Sequence, residues 1–378
     1  MKVLHIISSS GMYGAEAVIL NLSRILREQG HESVLTVFSN SKNPNLQLHE
    51  CAVAEGMDSY VVPCAGQVDR GALASIRELA LNLRADVVHS HNFKSDVYTY
   101  LALRRSDVPL VATCHTWYDT DALVTFYGRI DRLVLRSFSR VVAVSDEVRQ
   151  RLLKSGVRHE KIRYVRNGID LRPFENATAS LINLKADKVP LVGLIGRLAW
   201  EKGVDVFVQA AAHALKEFPG VQFVIVGEGP DRAALERSIH ELAIGDRVSM
   251  LGRRDDMPAV YASLDVMVSA SRQEGLPMAI LEGMASGLPL VATPVGEVPT
   301  VVQDGRTGLL VPTDNPARLA DAILQLVRDP ARRAAMGTAA RQLIRKEFSA
   351  ERMTADYLRV YEEAIAAVDR PAPRGRVP

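Results

Sequence analysis

Residues 189–218, VPLVGLIGRLAWEKGVDVFVQAAAHALKEF, decide the fold. VPLVGLIGR is a short, unbroken apolar run of the kind that forms a strand covered on both faces, and it ends at Gly196 and Arg197. LAWEKGVD is a polar loop carrying Gly203, and VFVQAAAHALKEF is an alanine-rich run of helical periodicity. Strand, polar loop and helix in that order make half of a parallel βα unit, which cannot bury its strand without neighbours of the same kind.

Those neighbours are present. KVLHIIS, the loop SSGMYG, the helix AEAVILNLSRILREQG ending at Gly30, and the strand ESVLTVFS open the chain in the same rhythm. ADVVHSH, PLVATCH and SRVVAVS continue it in the first half; VQFVIVGEG, RVSMLG, DVMVSAS and LPLVAT continue it in the second. The rhythm breaks at residues 171–190, LRPFENATASLINLKADKVP, which hold two prolines and mixed polarity and read as a linker, and from Pro330 onward the chain reads as helical. A chain of 378 residues is long for one core at a prior of about 150 residues per domain, so two α/β domains are expected. No repeat of about 20–50 residues is found.

Composition narrows the class. With 47% hydrophobic and 24% charged residues the chain is an ordinary folded protein. No apolar run approaches the ~20 residues that span a bilayer. KVLHIIS is too short for a signal peptide, so a cytoplasmic location is expected. The three cysteines, Cys51, Cys64 and Cys114, lack metal-site spacing and fit reduced thiols. The formal net charge is +2, but residues 129–172 carry 12 basic against 5 acidic side chains. Within LVTFYGRIDRLVLRSFSR, Arg129, Arg132, Arg136 and Arg140 fall at helical spacing. Such a helix either buries one face in its domain or lies on anionic lipid, which would hold the protein peripherally at the inner face of the cell membrane. Nucleic acid is not expected as a partner.

The candidate site residues sit where strands end. In GRLAWEKG, Arg197 offers a bidentate fork and Lys202 a point charge across a loop opened by Gly196 and closed by Gly203, a set suited to a diphosphate. In VIVGEGP, Gly227 and Gly229 would let backbone approach a ligand, although Pro230 breaks the dinucleotide fingerprint. In RQEGLPMAILEGMASG, residues 272–287, Pro277 is expected at the first helical position, leaving Glu274 in the loop and Glu282 within the helix. The two carboxylates would then lie about 8–10 Å apart with a helix N-terminus, an anion site, between them. In the first half, Gly11 and Gly14 end the first strand, with Glu16 in the first turn of the next helix. His89, His91 and His115 lie at strand ends without the acidic or thiol partners of a metal site. His115 is read instead as a neutral hydrogen-bonding or proton-handling group.

Taken together, GMYGAE, VATCHTW, YVRNGID, GRLAWEKG and EGLPMAILE, in this order over nearly the whole chain, resemble the retaining glycosyltransferases of family 4. The resemblance implies the GT-B architecture: two Rossmann-like parallel-sheet domains facing a central cleft, with a C-terminal helix crossing back to the first. On this reading residues 1–172 form the acceptor-binding domain, 173–189 the linker, 190–355 the nucleotide-sugar domain, 356–370 the crossover helix and 371–378 a disordered tail. EGLPMAILE matches the family's E-x7-E signature and GRLAWEKG its diphosphate clamp.

The implied roles are catalytic for His115, Arg197, Lys202 and Glu274. Gly14, Gly196, Gly229, Gly275, Leu276, Pro277 and Glu282 would serve the donor, with Glu282 on the ribose diol. Gly11, Tyr13, Glu16 and His91 would lie on the acceptor side. The implied reaction moves a hexosyl unit with retention from a UDP- or GDP-sugar to a glycan or lipid-linked acceptor, in cell-surface polysaccharide synthesis, with no metal or cofactor. The competing readings are a nucleotide-sugar epimerase of the same fold and a non-catalytic nucleotide-sugar binder.

Overall fold

A computed structural model describes residues 1–9, 11, 14–39, 45–65, 69–115, 130, 133–184 and 189–368. Tyr13, Arg129, Arg132 and the tail 371–378 lie outside the described residues. The chain divides into two compact units, Met1–Gly168 with Ala350–Pro378, and Ile169–Ser349.

The first unit is built on a seven-stranded sheet of order β3-β2-β1-β4-β5-β6-β7. Its strands are β1 (Lys2–Ile7), β2 (Glu32–Ser39), β3 (Asp58–Pro63), β4 (Val87–His91), β5 (Leu110–Cys114), β6 (Arg140–Ala143) and β7 (Ile162–Tyr164). The second carries a six-stranded sheet of order β10-β9-β8-β11-β12-β13. Here the strands are β8 (Leu191–Ile195), β9 (Gln222–Val226), β10 (Val248–Gly252), β11 (Val266–Ser269), β12 (Leu290–Ala292) and β13 (Gly308–Leu310). All the pairings are parallel. In each sheet the strand order reverses next to the unit's first strand, between β1 and β4 and between β8 and β11. In an open α/β sheet that reversal leaves a crevice at the carboxyl ends of the strands, the usual place for a ligand.

Strands buried on both faces explain the unbroken apolar runs. In the second unit Val192, Leu194, Val266 and Val268 face one core, and Leu191, Val224 and Met267 the other. In the first unit Leu4, Ile6, Val34 and Val88 share one face. The opposite face carries Ile7, Leu35 and Val37, but also the fully buried His5, His89 and His91. The helix Gly14–Glu28 shows how local signals set boundaries. Glu16 lies in its first turn and Arg27 in its last, as the helix dipole favours. Gly30, at φ +80°, then turns the chain so that the Gly30 and His31 amides donate to the Arg27 and Leu26 carbonyls.

Three boundaries differ from expectation, each because tertiary packing overrides composition. The stretch 173–189, expected as a linker after a domain ending at 172, belongs to the second unit from Ile169 onward. Ile169 and Leu181 are buried in its core, and the Ser180 and Leu181 amides both donate to Ser263 Oγ at 3.0 Å. The chain returns to the first unit at Ala350 rather than 356, with Ser349 bridged to Ile169. The helix Ala350–Val368 buries Tyr357 and Tyr361 in the first unit, and its Glu363 Oε2 accepts from Arg140 Nε at 2.9 Å and Arg163 Nε at 2.7 Å. Arg140, expected on a helix with Arg136, instead opens β6. Among the described residues no helix is long and apolar enough to cross a membrane.

Candidate functional site

The second unit carries its site residues on the loops that follow β8 and β11, the two strands flanking the reversal. The start of the loop after β8 is held by backbone hydrogen bonds to the loop after β9. The Gly196 amide donates to Val226 O, Leu198 N–H to Glu228 O and Asp231 N–H to Leu198 O, each at 3.0 Å. This close approach of two loops is why glycines stand opposite it. A Cβ on Gly227 would lie 1.9 Å from Gly196 O, and one on Gly229 would lie 2.2 Å from Leu198 O. The space left by Gly229 is therefore taken by the neighbouring loop rather than kept for a ligand. Gly203, at φ +61°, faces Ala270 O, 2.0 Å from where its Cβ would stand. The end of the lysine loop is thereby fixed against the end of β11.

On this base the charged groups assemble. Lys202 Nζ donates to Glu274 Oε1 at 2.5 Å, and Ser271 Oγ donates to the same oxygen at 2.8 Å. The Glu274 side chain is only 8% exposed, whereas that of Arg197 is 65% exposed and makes just a long 3.8 Å pairing with Glu201. Lys202 and Glu274 thus come together, with Arg197 left reachable by solvent. The Glu274–Gly275 backbone is held from behind: the Glu297 amide donates to Gly275 O at 3.1 Å, and Gly296, at φ +55°, leaves room for Glu274 O, 1.9 Å from its missing Cβ. Gly275 itself faces open space, with no atom within 4 Å of where a Cβ would stand.

Pro277 is the N-cap and not the first helical residue; the helix runs Met278–Ala285, and no side chain caps it. The reason is local, since Pro277 has an extended ψ of 123° while its carbonyl accepts from Ile280 N–H. The uncapped first turn, next to Gly275, Leu276 and Pro277, has the free N–H groups and positive dipole end that favour an anion. Four residues into this helix from Met278, Glu282 accepts from Tyr261 OH at 2.8 Å. Burial pushes its carboxyl above the ordinary range, and the tyrosine bond partly opposes this.

Arg272 was not singled out by its sequence. Its Nη1 and Nη2 donate to Asp205 Oδ1 and Oδ2 at 2.8 and 2.7 Å, its Nε to Asp314 Oδ1 at 2.6 Å, and its Nη1 also to Trp200 O at 2.7 Å. These bonds raise an already basic guanidinium further, with Asp205 the largest contributor. One fork ties the loop of Glu274 to the loop of Lys202, but its partners lie 67 and 42 residues away, so spacing could not reveal it.

In the first unit the candidate residues gather at the carboxyl ends of β1, β4 and β5. Ser9 Oγ donates to Glu16 Oε1 at 2.8 Å and holds the Gly11 carbonyl at 2.9 Å, so Glu16, buried in the first helical turn, braces the loop that starts at the end of β1. Gly14 is the first residue of that helix and is exposed. Asn92, directly after β4, has φ +76°, a rare value for a residue with a side chain, and its Nδ2 donates to Ser8 O at 3.4 Å. Arg136 donates through Nε and Nη2 to Ser155 O, so both described arginines of the basic segment are engaged within the chain.

His5, His89 and His91 are fully buried and His115 is half-buried beside them. His5 Nδ1 and His91 Nε2 are 3.2 Å apart, and His91 Nδ1 and His115 Nε2 are 3.3 Å apart. His89 contacts Tyr361 OH through Nδ1 at 2.8 Å and Thr113 Oγ1 through Nε2 at 2.7 Å. Burial holds His5 down to about 3 and His115 to about 4, and it drives His89 and His91 well below the usual range, with neighbouring histidines adding to the effect. His5, His89 and His91 could each turn one nitrogen to a common point, all within 4.8 Å of one another. For His89 that would mean giving up one of its two good hydrogen bonds.

Two open parallel sheets, with neutral histidines at the reversal point of the first and charged and uncapped groups at that of the second, make up the α/β frame of the GT-B glycosyltransferases. Residues 12–172 match the model described as Glycosyltransferase Family 4, and residues 189–329 that described as Glycosyl transferases group 1. The chain is 27% identical to N-acetyl-alpha-D-glucosaminyl L-malate synthase of Bacillus anthracis over 95% of both chains. It is 30% identical to D-inositol 3-phosphate glycosyltransferase of Xylanimonas cellulosilytica, over 93% of this chain and 92% of that one. Anabaena HepE, solved with UDP and glucose, superposes with a TM-score of 0.81 at 21% identity, covering 96% of this chain and 99% of that one. This chain belongs to the family 4 glycosyltransferases.

Proposed function

We propose that the protein transfers a hexosyl unit from a nucleotide diphosphate sugar, a UDP- or GDP-sugar, with retention of anomeric configuration and without a metal ion. The observation that carries this reading is the set formed within the second unit by exposed Arg197, the Lys202–Glu274 pair and the uncapped helix start at Met278. Cleaving a glycosyl–phosphate bond puts negative charge on the diphosphate, and fixed cations with helix N–H groups stabilise charge that develops in the transition state. Lys202 and Arg197 take the part a divalent cation would otherwise play. Glu282, with Oε2 held by Tyr261, is the acceptor for the ribose diol, and Glu274 faces hydroxyls of the transferred sugar. Gly196 and Gly275 to Pro277 line the donor side.

The reaction is a same-face substitution. The bond from the anomeric carbon to the leaving phosphate oxygen breaks as the acceptor oxygen bonds that carbon, and the leaving oxygen takes the acceptor's proton. His115 positions the sugar, while Gly11, Tyr13 and Glu16 serve the acceptor side; His91, expected there too, is fully buried with both nitrogens on His5 and His115 and does not reach it. A covalent glycosyl-enzyme trapped on any carboxylate would overturn this route in favour of double displacement.

The acceptor is a glycan or lipid-linked glycan of the cell surface, met at the inner membrane face. A second reading, a small polar alcohol as acceptor, is favoured by the names of the relatives from Bacillus anthracis and Xylanimonas cellulosilytica. The deciding experiment is a panel of UDP- and GDP-sugars scored for thermal stabilisation and slow hydrolysis, with and without chelator, on wild type and Lys202→Ala. One donor should stabilise the wild type alone and turn over in chelator. If no nucleotide sugar binds, the transferase site is wrongly assigned; if chelator abolishes turnover, the cationic clamp is. Product formation from lipid-linked glycan against small alcohols then selects the acceptor.

A further inference from the structure

We propose that His5 and His91 form a one-way relay of imidazole N–H groups that fixes His115 as the Nδ1–H tautomer and leaves it no lone pair for proton abstraction. The three residues sit on or beside adjacent strands, His5 on β1, His91 at the end of β4 and His115 directly after β5. Their nitrogens are in series: His5 Nδ1 to His91 Nε2 at 3.2 Å, then His91 Nδ1 to His115 Nε2 at 3.3 Å.

A neutral imidazole has one N–H and one lone pair, so two such contacts in series must point the same way. Burial keeps all three rings neutral near pH 7. If the series ran from His115 to His5, His5 would end with an N–H on Nε2. That atom is buried and has no hydrogen-bond partner. A buried N–H without an acceptor is rarer in proteins than an acceptor with an unused lone pair. The series therefore runs from His5: His5 Nδ1–H donates to His91 Nε2, and His91 Nδ1–H donates to His115 Nε2. His89 stands outside it, with both nitrogens on hydroxyl groups.

The consequence rests on the reading of His115 as a substrate-facing group. With Nε2 occupied by the His91 N–H, His115 offers substrate a donor, Nδ1–H, suited to a sugar hydroxyl oxygen. It cannot take the acceptor's proton. His91 and His5 are positioning residues, acting on substrate only through His115.

The test is NMR of the full chain labelled with 15N-histidine, assigned with His115→Gln. In the wild type, His115 should show a protonated Nδ1 and an unprotonated Nε2; the reverse pattern overturns the relay and needs no variant that might misfold. His91→Leu should flip His115 to the Nε2–H form and lower kcat about tenfold or more, with KM little changed. His91→Asn, which keeps a donor at the place of Nδ1, should restore both. An unchanged His115 tautomer in His91→Leu would also overturn the proposal. Because tautomers are read without turnover, a protein with the predicted pattern that transfers no sugar would sink the transferase reading and leave the relay standing.

Discussion

The two units build their sites with opposite materials. The second places ion pairs and free N–H groups on loops whose backbones touch, so that carbonyl oxygens stand about 2 Å from where the Cβ atoms of Gly203, Gly227 and Gly296 would be. The first builds its site from neutral side chains buried under its own helices, where His5, His89 and His91 share a sheet face with Ile7, Leu35 and Val37. On the proposed function, a site that meets a diphosphate keeps charge at the surface and uses tight backbone packing to hold it still. A site that orients uncharged hydroxyls can use groups that burial keeps neutral. The difference separates rigidity obtained from glycine contacts from rigidity obtained from a hydrogen-bonded network.

The comparison breaks most visibly through chemistry. Lys202→Ala is expected to lower kcat by about 10²–10³-fold with a small change in melting temperature, since it removes one charge from a transition-state clamp. Steady-state kinetics and calorimetry on one preparation check both halves of that statement.

Gly203→Ala should cost about 3 kcal/mol of stability, because its methyl meets the Ala270 carbonyl and its φ of +61° disfavours any side chain. Denaturant unfolding followed by a probe in the second unit measures it. A neutral result would mean that the loops can part and that backbone contact is not what holds the lysine.

Acid should act first on the other unit. The unfolded histidines take up protons below about pH 6.5, while folded His5 and His115 resist until about 3 and 4, so their contribution is complete above pH 6.5 and is lost as pH falls. At pH 5 the loss is up to about 2 kcal/mol for each. Glu282, whose carboxyl is raised by burial, works in the opposite sense, since protonation relieves its burial. Limited proteolysis between pH 7 and 5 should therefore open the first unit before the second. The smallest effect is expected of Gly275→Ala, which meets nothing and should change stability by less than about 0.5 kcal/mol while weakening donor binding. Donor titration beside thermal unfolding separates the two.

Buried central strands were legible because both faces are covered and their apolar runs are nearly unbroken, as in LVGLI at β8 and QFVIV at β9. The strands that escaped notice are β3, β7 and β13, all at sheet edges, where pairing on one side permits short or half-exposed sequences such as DSYVVP. Glu16 in its helical turn and the loop placement of Glu274 followed from local rules. Pro277 missed its place by one residue because a proline fits a cap as well as a first turn. Arg272 and Asn92 could not be found in the same way, since the partners of one are distant in sequence and the other differs from any asparagine only by its φ of +76°.

By itself the sequence determined the α/β class, the order of the central strands and their loops and the chemical kinds of residue at each strand end, because these depend on periodicity and on spacing along the chain; the family followed from the resemblance of its ordered motifs. Only the tertiary structure decided that Lys202 meets Glu274, that Ile169 and Leu181 belong to the second core, and that His5 stands in series with His91 and His115. These depend on which strands become neighbours. Strand order is set by the burial of whole faces, which no local stretch records.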